Sequence, residues 1–366
     1  MAHRMRILHL LNHIRKTGNG IVNVAVDLAC LQAKQHCEVG IASIGGDYEP
    51  LLANYGVKHF TLNQARHPLT LIQAIATYQT LIQEFQPDIV HTHMMTGVIL
   101  ARALRGRNAY GLVSTVHNEF QRSAILMGLA DRVIAVTDAV AQSMYQRGIP
   151  QKKLRVVRNG TLNSPRTRSL HDYAPLPLKR PAITTVAGMY HRKGITELID
   201  AFCQVASEFP DGHLYLVGDG PDRPTFEAQA QNSGIGDLIH FERFQPEPQR
   251  YLLSTDNFVL ASHKDPSPLV IPEAREAGCA IVASNVDGIP EALDQGNAGL
   301  LVPPSDSKTL ARTLTNLLKN PDELQLWKTR SQENLEPLKA DRVNQQTFEI
   351  YQELIALRKV SQLPHF

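Results

Sequence analysis

Cysteine is scarce in this 366-residue chain. Cys30, Cys37, Cys203 and Cys279 form no Cys-x-x-Cys pair and no even ladder of spacings. A disulfide framework and a structural zinc site are therefore not expected, and a reducing cytoplasm is the compartment that fits. The chain also lacks any apolar run of the roughly 18 residues needed to cross a bilayer. Near its start the run Ile7 to Leu11 is short and interrupted by His9, which reads as a buried strand and not as a signal peptide. There is no repeat of about 20 to 50 residues and no low-complexity tract, so solenoid and linker-like classes drop out. With 43% apolar and 20% charged residues the composition is that of a globular enzyme, not of a disordered, collagen-like or coiled-coil chain. At about 150 residues per domain, the length points to two cores.

The near-neutral net charge of +2 hides an asymmetry. Residues 1–170 hold 19 basic and 9 acidic side chains, whereas 171–366 hold 18 and 26. A first half at +10 beside a second at −8 predicts that the first half meets an anionic partner: a phosphate-bearing acceptor, a membrane surface or nucleic acid.

Strand-length apolar runs recur along the chain at Arg6–Leu11, Val39–Ile44, Ile89–Val90, Leu112–Val116 and Val133–Val136. They continue at Ile183–Ala187, Leu214–Val217, Phe258–Leu260 and Ala280–Ala283. These runs are continuous, not alternating, and amphipathic helical segments separate them. That pattern reads as parallel sheet covered on both faces. One such helix carries Ile72, Ile75, Tyr78, Ile82 and Phe85 at helical spacing before Pro87 ends it. Residues 163–182, with Pro165, Pro175, Pro177 and Pro181, have the composition of a linker, which places the boundary near 170. The expected domains are 1–170 and 171–341, each Rossmann-like. A final helix from about 342 to 360 carries Phe348, Tyr351, Leu354 and Leu357.

Three segments carry candidate chemistry. Thr17-Gly18-Asn19-Gly20 follows the first strand and opens a helix, where backbone amides and the helix dipole favour an anion. It is not a dinucleotide fingerprint, because Asn23 occupies the third glycine position, and no P-loop Lys-Ser or Lys-Thr follows. Gly188 to Gly194 contains Arg192 and Lys193 at a strand-to-helix junction, a fork and a point charge able to neutralise a diphosphate. The third segment runs from His263 to Ala274. Pro272 restricts the helix start to a few residues upstream, so the amides of Leu269 to Ile271 lack helical acceptors. Asp265 and Glu273 bracket those donors and can accept hydrogen bonds from a polyhydroxylated ligand. His91-Thr92-His93 invites a metal reading. No third ligand stands at suitable spacing, however, so strand-end histidines near a ligand are the preferred interpretation.

These segments occur in a fixed order with Asp88-Ile89-Val90-His91-Thr92-His93, Thr115-Val116-His117-Asn118, Ala130 to Thr137, Asn159-Gly160, Gly218-Asp219-Gly220-Pro221 and Gly288-Ile289-Pro290-Glu291. The whole resembles the retaining glycosyltransferases of family 4, from residue 6 to about 355. The resemblance implies an α/β protein of the GT-B fold, two Rossmann-like domains facing each other across a cleft, with the final helix packing back on the first. It also implies a nucleotide-sugar donor and a carbohydrate or lipid-linked acceptor, in polysaccharide or glycolipid synthesis.

Carried over position by position, the resemblance implies that Gly18 and Gly20 offer amides to the donor diphosphate, with Arg192 and Lys193 opposite. Glu273 would hold the ribose hydroxyls. Asp265, with the amides near Ser267, Leu269 and Val270, would hold the sugar. His117 would contact the sugar or its phosphate, and Gly218 and Gly220 would border the nucleobase. No cofactor and no metal are expected, since the chain contains no Asp-x-Asp pair. The expected partners include an anionic membrane at its cytoplasmic face but no nucleic acid. Two departures stand out: Asp265 replaces the family's usual glutamate, and Met189 replaces its usual arginine. A nucleotide-sugar epimerase using His117 with Glu119, and a binding protein without turnover, are the competing readings.

Overall fold

Two parallel sheets organise the chain. The computed structural model describes residues 4–65, 67–106 and 110–361. The first sheet contains β1 (Arg6–Leu10), β2 (Glu38–Ser43), β3 (Lys58–Thr61), β4 (Ile89–Thr92), β5 (Gly111–Val116), β6 (Arg132–Ala135) and β7 (Leu154–Val156), in the order β3-β2-β1-β4-β5-β6-β7. The second contains β8 (Ala182–Val186), β9 (His213–Val217), β10 (Ile239–Phe241), β11 (Asn257–Leu260), β12 (Ala280–Ser284) and β13 (Leu300–Val302), in the order β10-β9-β8-β11-β12-β13. In each sheet the chain works outward in one direction, returns to the middle and works outward in the other. This leaves a topological switch point between β1 and β4 and another between β8 and β11. Parallel α/β sheets bind ligands beyond the carboxyl ends of their strands at such points.

The central strands are buried on both faces, as continuous apolar runs require. In the first unit Leu8, Leu10, Val90 and Leu112 belong to one core layer, while Val39 and Ile41 pack with the helix Gly20–Lys34 in another. In the second, Ile183, Leu214 and Val259 share a layer with the helix Ile195–Glu208, and Phe258, Leu260 and Ile281 share one with the helix Val270–Glu276.

The two units divide at Thr167/Arg168 and at Leu338/Lys339, and Gly160–Leu162 belongs to the second. The amides of Thr161 and Leu162 both donate to the Leu338 carbonyl, which ties that short segment to the second unit. Residues 163–167 are no loose linker. Ser164 and Arg166 bind the buried Asp27 carboxylate at 2.6 and 2.8 Å and so anchor the segment in unit 1. The final helix, Ala340–Ser361, packs within unit 1 against the helix Gly20–Lys34 and β5. A Cβ added at Gly111 would lie 2.6 Å from Leu354, so β5 needs a glycine where that helix crosses it.

The helix Pro68–Phe85 departs from the expected single buried stripe. Tyr78, Ile82 and Phe85 are buried, but Ile72 is 65% exposed and Leu69 68%. All four cysteines are free thiols. Among the described residues no helix is long and apolar enough to cross a membrane.

Candidate functional site

In unit 2 the sequence-predicted residues converge on the switch point. After β8 the chain turns through His191–Lys193 into Gly194, whose φ of 66° is left-handed. A side chain at Gly194 is impossible: its Cβ would lie 1.9 Å from the Ala261 carbonyl oxygen. That approach presses the Arg192-Lys193 turn onto the segment leaving β11, and the His263 amide donates to the Arg192 carbonyl at 2.8 Å. Lys193 Nζ then lies 2.5 Å from Asp265 Oδ2, with both side chains nearly buried. The Ser262 hydroxyl lies 3.4 Å from the same oxygen, and the Asp265 amide donates to Asp287 at 2.8 Å. Lys193 and Asp265, expected on the diphosphate and on the sugar of a donor, are thus one ion pair spanning the switch point. A phosphate approaching the ammonium competes with a carboxylate already there.

Gly218 and Gly220 have a structural reason to be glycine. A Cβ at Gly218 would meet the Ala187 carbonyl oxygen at 2.0 Å, and one at Gly220 would meet the Met189 carbonyl oxygen at 2.4 Å. The turn after β9 is stitched to the turn after β8, with the Met189 amide donating to the Asp219 carbonyl at 3.0 Å and the His191 amide to Asp222 at 2.8 Å. Met189 itself is fully buried in the core, so no polar group acts from that position. The Arg192 guanidinium lies over the Tyr190 ring at 5.4 Å. Glu273 sits in the first turn of the helix Val270–Glu276, and that turn has no side-chain cap. Ser267, Leu269 and Val270, in the segment that leads into this helix, are half-buried.

In unit 1, Gly18 is left-handed at φ 70°, and Asn19 caps the helix Gly20–Lys34 by accepting from the Ile21 amide at 3.0 Å. The first turn of this helix contains no acidic residue, so its amide end suits an anion.

The histidines sit at the unit 1 switch point, and here the structure corrects the expectation that His91 and His93 have no third companion. His9 on β1 pairs in register with His91 on β4, and single ring nitrogens of His9, His91 and His93 lie within 4.8 Å of one another. Each ring nitrogen already has a partner. His9 bonds Gln32 at 2.8 Å and His93 at 3.1 Å; His91 bonds Tyr351 at 2.6 Å and Thr115 at 2.7 Å; His93 bonds His117 at 3.1 Å. A nitrogen that ligates a metal gives up its hydrogen bond, and here every nitrogen of the three rings makes one. Burial lowers the pKa of His9 to about 4 and that of His117 to about 3. It also holds His91 and His93 well below the usual imidazole range, with smaller contributions from neighbouring rings. All four rings are neutral at pH 7.

A family model described as "Glycosyl transferases group 1" matches residues 168–334, and one described as "Glycosyltransferase Family 4" matches residues 18–161. The chain belongs to the family 4 glycosyltransferases. This glycosyltransferase is 26% identical to the lipopolysaccharide core biosynthesis glycosyltransferase LpsE of Rhizobium meliloti, over 51% of this chain and 54% of that protein. It therefore spans about half the length of that relative. An uncharacterized glycosyltransferase of Haemophilus influenzae is 22% identical over 84% of this chain and 88% of its own. Among solved structures, Anabaena HepE in complex with UDP and glucose matches with a TM-score of 0.82 at 18% identity, over 96% of this chain and 100% of that one. Sucrose-phosphate synthase from Thermosynechococcus elongatus matches with a TM-score of 0.81 at 20% identity, over 97% and 100%. The fold is GT-B, two Rossmann-like units each built on a parallel sheet.

Sequence reasoning singled out Lys193, Asp265, Glu273 and His117 as candidates and passed over Gln32, His9, Thr115 and Tyr351, which the fold brings to the histidine cluster. The signal for His9 is a polar residue inside an apolar run. Tyr351 gave none, since it falls on the apolar stripe of its helix.

Proposed function

We propose that this family 4 glycosyltransferase moves a sugar, with retention of configuration, from a nucleotide-diphosphate donor to an acceptor hydroxyl. The observation that carries the reading is the Lys193–Asp265 pair across the unit 2 switch point, with Arg192 next to Lys193 in the chain and Glu273 in the first turn of the helix that follows Asp265. Lys193 and Arg192 balance the charge that grows on the departing diphosphate, Glu273 accepts from the ribose hydroxyls, and Asp265 accepts from a sugar hydroxyl once Lys193 turns to phosphate. Attack comes from the face that the diphosphate leaves, and a diphosphate oxygen takes the acceptor proton. The two cations do without a metal what a bound divalent ion does elsewhere. HepE was solved with UDP and with UDP-glucose, which supports a nucleotide-sugar donor.

An acceptor at an anionic membrane surface fits the basic excess of residues 1–170 and the exposed Leu69 and Ile72. Sedimentation with vesicles that is indifferent to anionic lipid and to salt would remove that part of the reading.

The donor is tested by thermal stabilisation of the full chain with UDP-, GDP- and ADP-glucose, repeated for Lys193→Ala. One nucleotide should stabilise the wild type and fail on the variant. Equal stabilisation of both proteins would overturn the assignment.

A further inference from the structure

Unit 1 contains a hydrogen-bond chain that the donor reading leaves unused. It starts at Gln32 on the helix Gly20–Lys34, passes through His9 and His93, and ends at His117 just after β5. The links are Gln32 Oε1 to His9 Nε2 at 2.8 Å, His9 Nδ1 to His93 Nε2 at 3.1 Å, and His93 Nδ1 to His117 Nε2 at 3.1 Å. Successive rings are stacked, with centroids 5.4 Å apart at both steps. Gln32 and His9 are fully buried and His93 is 3% exposed, so water does not break into the chain.

A neutral imidazole has one N–H and one bare nitrogen. In a chain of neutral rings, the role of one nitrogen dictates the role of every other. Gln32 sets the direction. Its amide nitrogen faces the Tyr351 hydroxyl at 3.4 Å, which leaves the amide oxygen facing His9. The Tyr351 oxygen accepts from Gln32 and donates its own proton to His91 Nδ1 at 2.6 Å, and His91 Nε2–H donates to Thr115 at 2.7 Å. His9 therefore donates from Nε2 to Gln32 and accepts at Nδ1 from His93 Nε2–H. His93 accepts at Nδ1 from His117 Nε2–H. The Nδ1 of His117 is left as a bare lone pair with no hydrogen-bond partner among the described residues.

We propose that Gln32, His9 and His93 are positioning residues that fix His117 as its Nε2–H tautomer, so that Nδ1 accepts a hydrogen bond from a sugar hydroxyl and does not donate to a phosphate oxygen. A phosphate oxygen has no proton to offer a bare nitrogen, whereas a hydroxyl does. The hydroxyl partner rests on the donor reading above; the tautomer does not.

The test uses the full-length protein with nitrogen-15 histidine. In long-range proton–nitrogen spectra at pH 7.5, the signals assigned to His117 by their loss in His117→Gln should show a bare Nδ1 and a protonated Nε2. In Gln32→Met, which keeps the volume but loses the directing oxygen, the ring three links away should become a mixture of tautomers. A protonated Nδ1 in the wild type, or an unchanged His117 in Gln32→Met, overturns the proposal.

Binding adds the second arm, using the nucleotide selected by the stabilisation screen. Gln32→Met should bind the free nucleoside diphosphate as the wild type does and bind its glucose conjugate about 2-fold more weakly, the loss when only half of the rings hold the competent tautomer. Equal loss on both ligands, or loss on neither, overturns the hydroxyl contact. A wild type stabilised by no donor removes the donor reading and the hydroxyl partner together, while the spectrum still decides the tautomer.

Discussion

Lowering the pH from 7.5 to 5 should open unit 1 while unit 2 stays folded. His9 titrates at about 4 and His117 at about 3 in the folded chain, and burial keeps His91 and His93 well below the usual range. Released by unfolding, each ring titrates near 6.5. The folded values lie below the unfolded one, so the unfolded chain takes up protons first. The stabilisation is complete above about pH 6.5 and is lost as the pH falls toward the folded values. At pH 5, keeping one ring neutral costs about 2 kcal/mol, and keeping four neutral costs about 8. A domain's whole stability is about 5–15 kcal/mol. Among the described histidines of unit 2 only His213 and His240 are lowered, chiefly by burial, which makes two rings against the four of the unit 1 cluster.

The chain reports on its two units separately. Trp327, its single tryptophan, lies in the helix Pro321–Ser331 of unit 2. Cys30 is fully buried in unit 1 and Cys279 in unit 2. Labelling with a thiol reagent that reacts in acid, such as dithiodipyridine, followed by mass spectrometry should show Cys30 modified at pH 5 with Cys279 protected and Trp327 fluorescence unchanged. If Cys30 is as protected at pH 5 as at pH 7.5, or if both thiols open together, the buried histidines are not the cause.

Three further outcomes are expected. Lys193→Ala should lower the transfer rate about 10²- to 10³-fold, the usual cost of one preorganised charge-stabilising donor, in an assay of nucleotide release with acceptor present. Gly218→Ala forces a side chain at φ 140° against the Ala187 carbonyl oxygen and should cost about 2–4 kcal/mol, read from urea unfolding by Trp327 fluorescence. Asp27→Ala leaves Arg166 charged and nearly buried with its carboxylate gone; the loss of about 3–5 kcal/mol in unit 1 should appear as faster labelling of Cys30.

Nine strands could be read from the sequence, and the four that could not are β3, β7, β10 and β13, the two edges of each sheet. An edge strand pairs on one side only, so it can be short and polar. β3 reads Lys-His-Phe-Thr and β7 only Leu-Arg-Val, and neither forms the apolar run that betrays a central strand. The site residues were legible as chemical types at strand ends. Their partnerships were not, because Lys193 and Asp265 meet only where β8 lies beside β11. Gly194 was legible as part of a motif, but only its clearance from Ala261 reveals that it sets the lysine's position. Asp27 and Arg166 were obscured for a different reason. A carboxylate in a helix and an arginine in a proline-containing stretch each look solvated until the fold brings them together.

The way the backbone passes back and forth between the units limits how this enzyme can be dissected or recombined. Residues 160–162 go with one unit, 163–167 with the other, and everything after 338 returns to the first. A chain stopped at 170 would strip β5 of the helix that covers Gly111 and take the Tyr351 hydroxyl from His91. A chimera that exchanges one half for that of a relative must move both ends of the polypeptide together, or the recipient inherits an uncovered sheet and a histidine cluster missing its tyrosine.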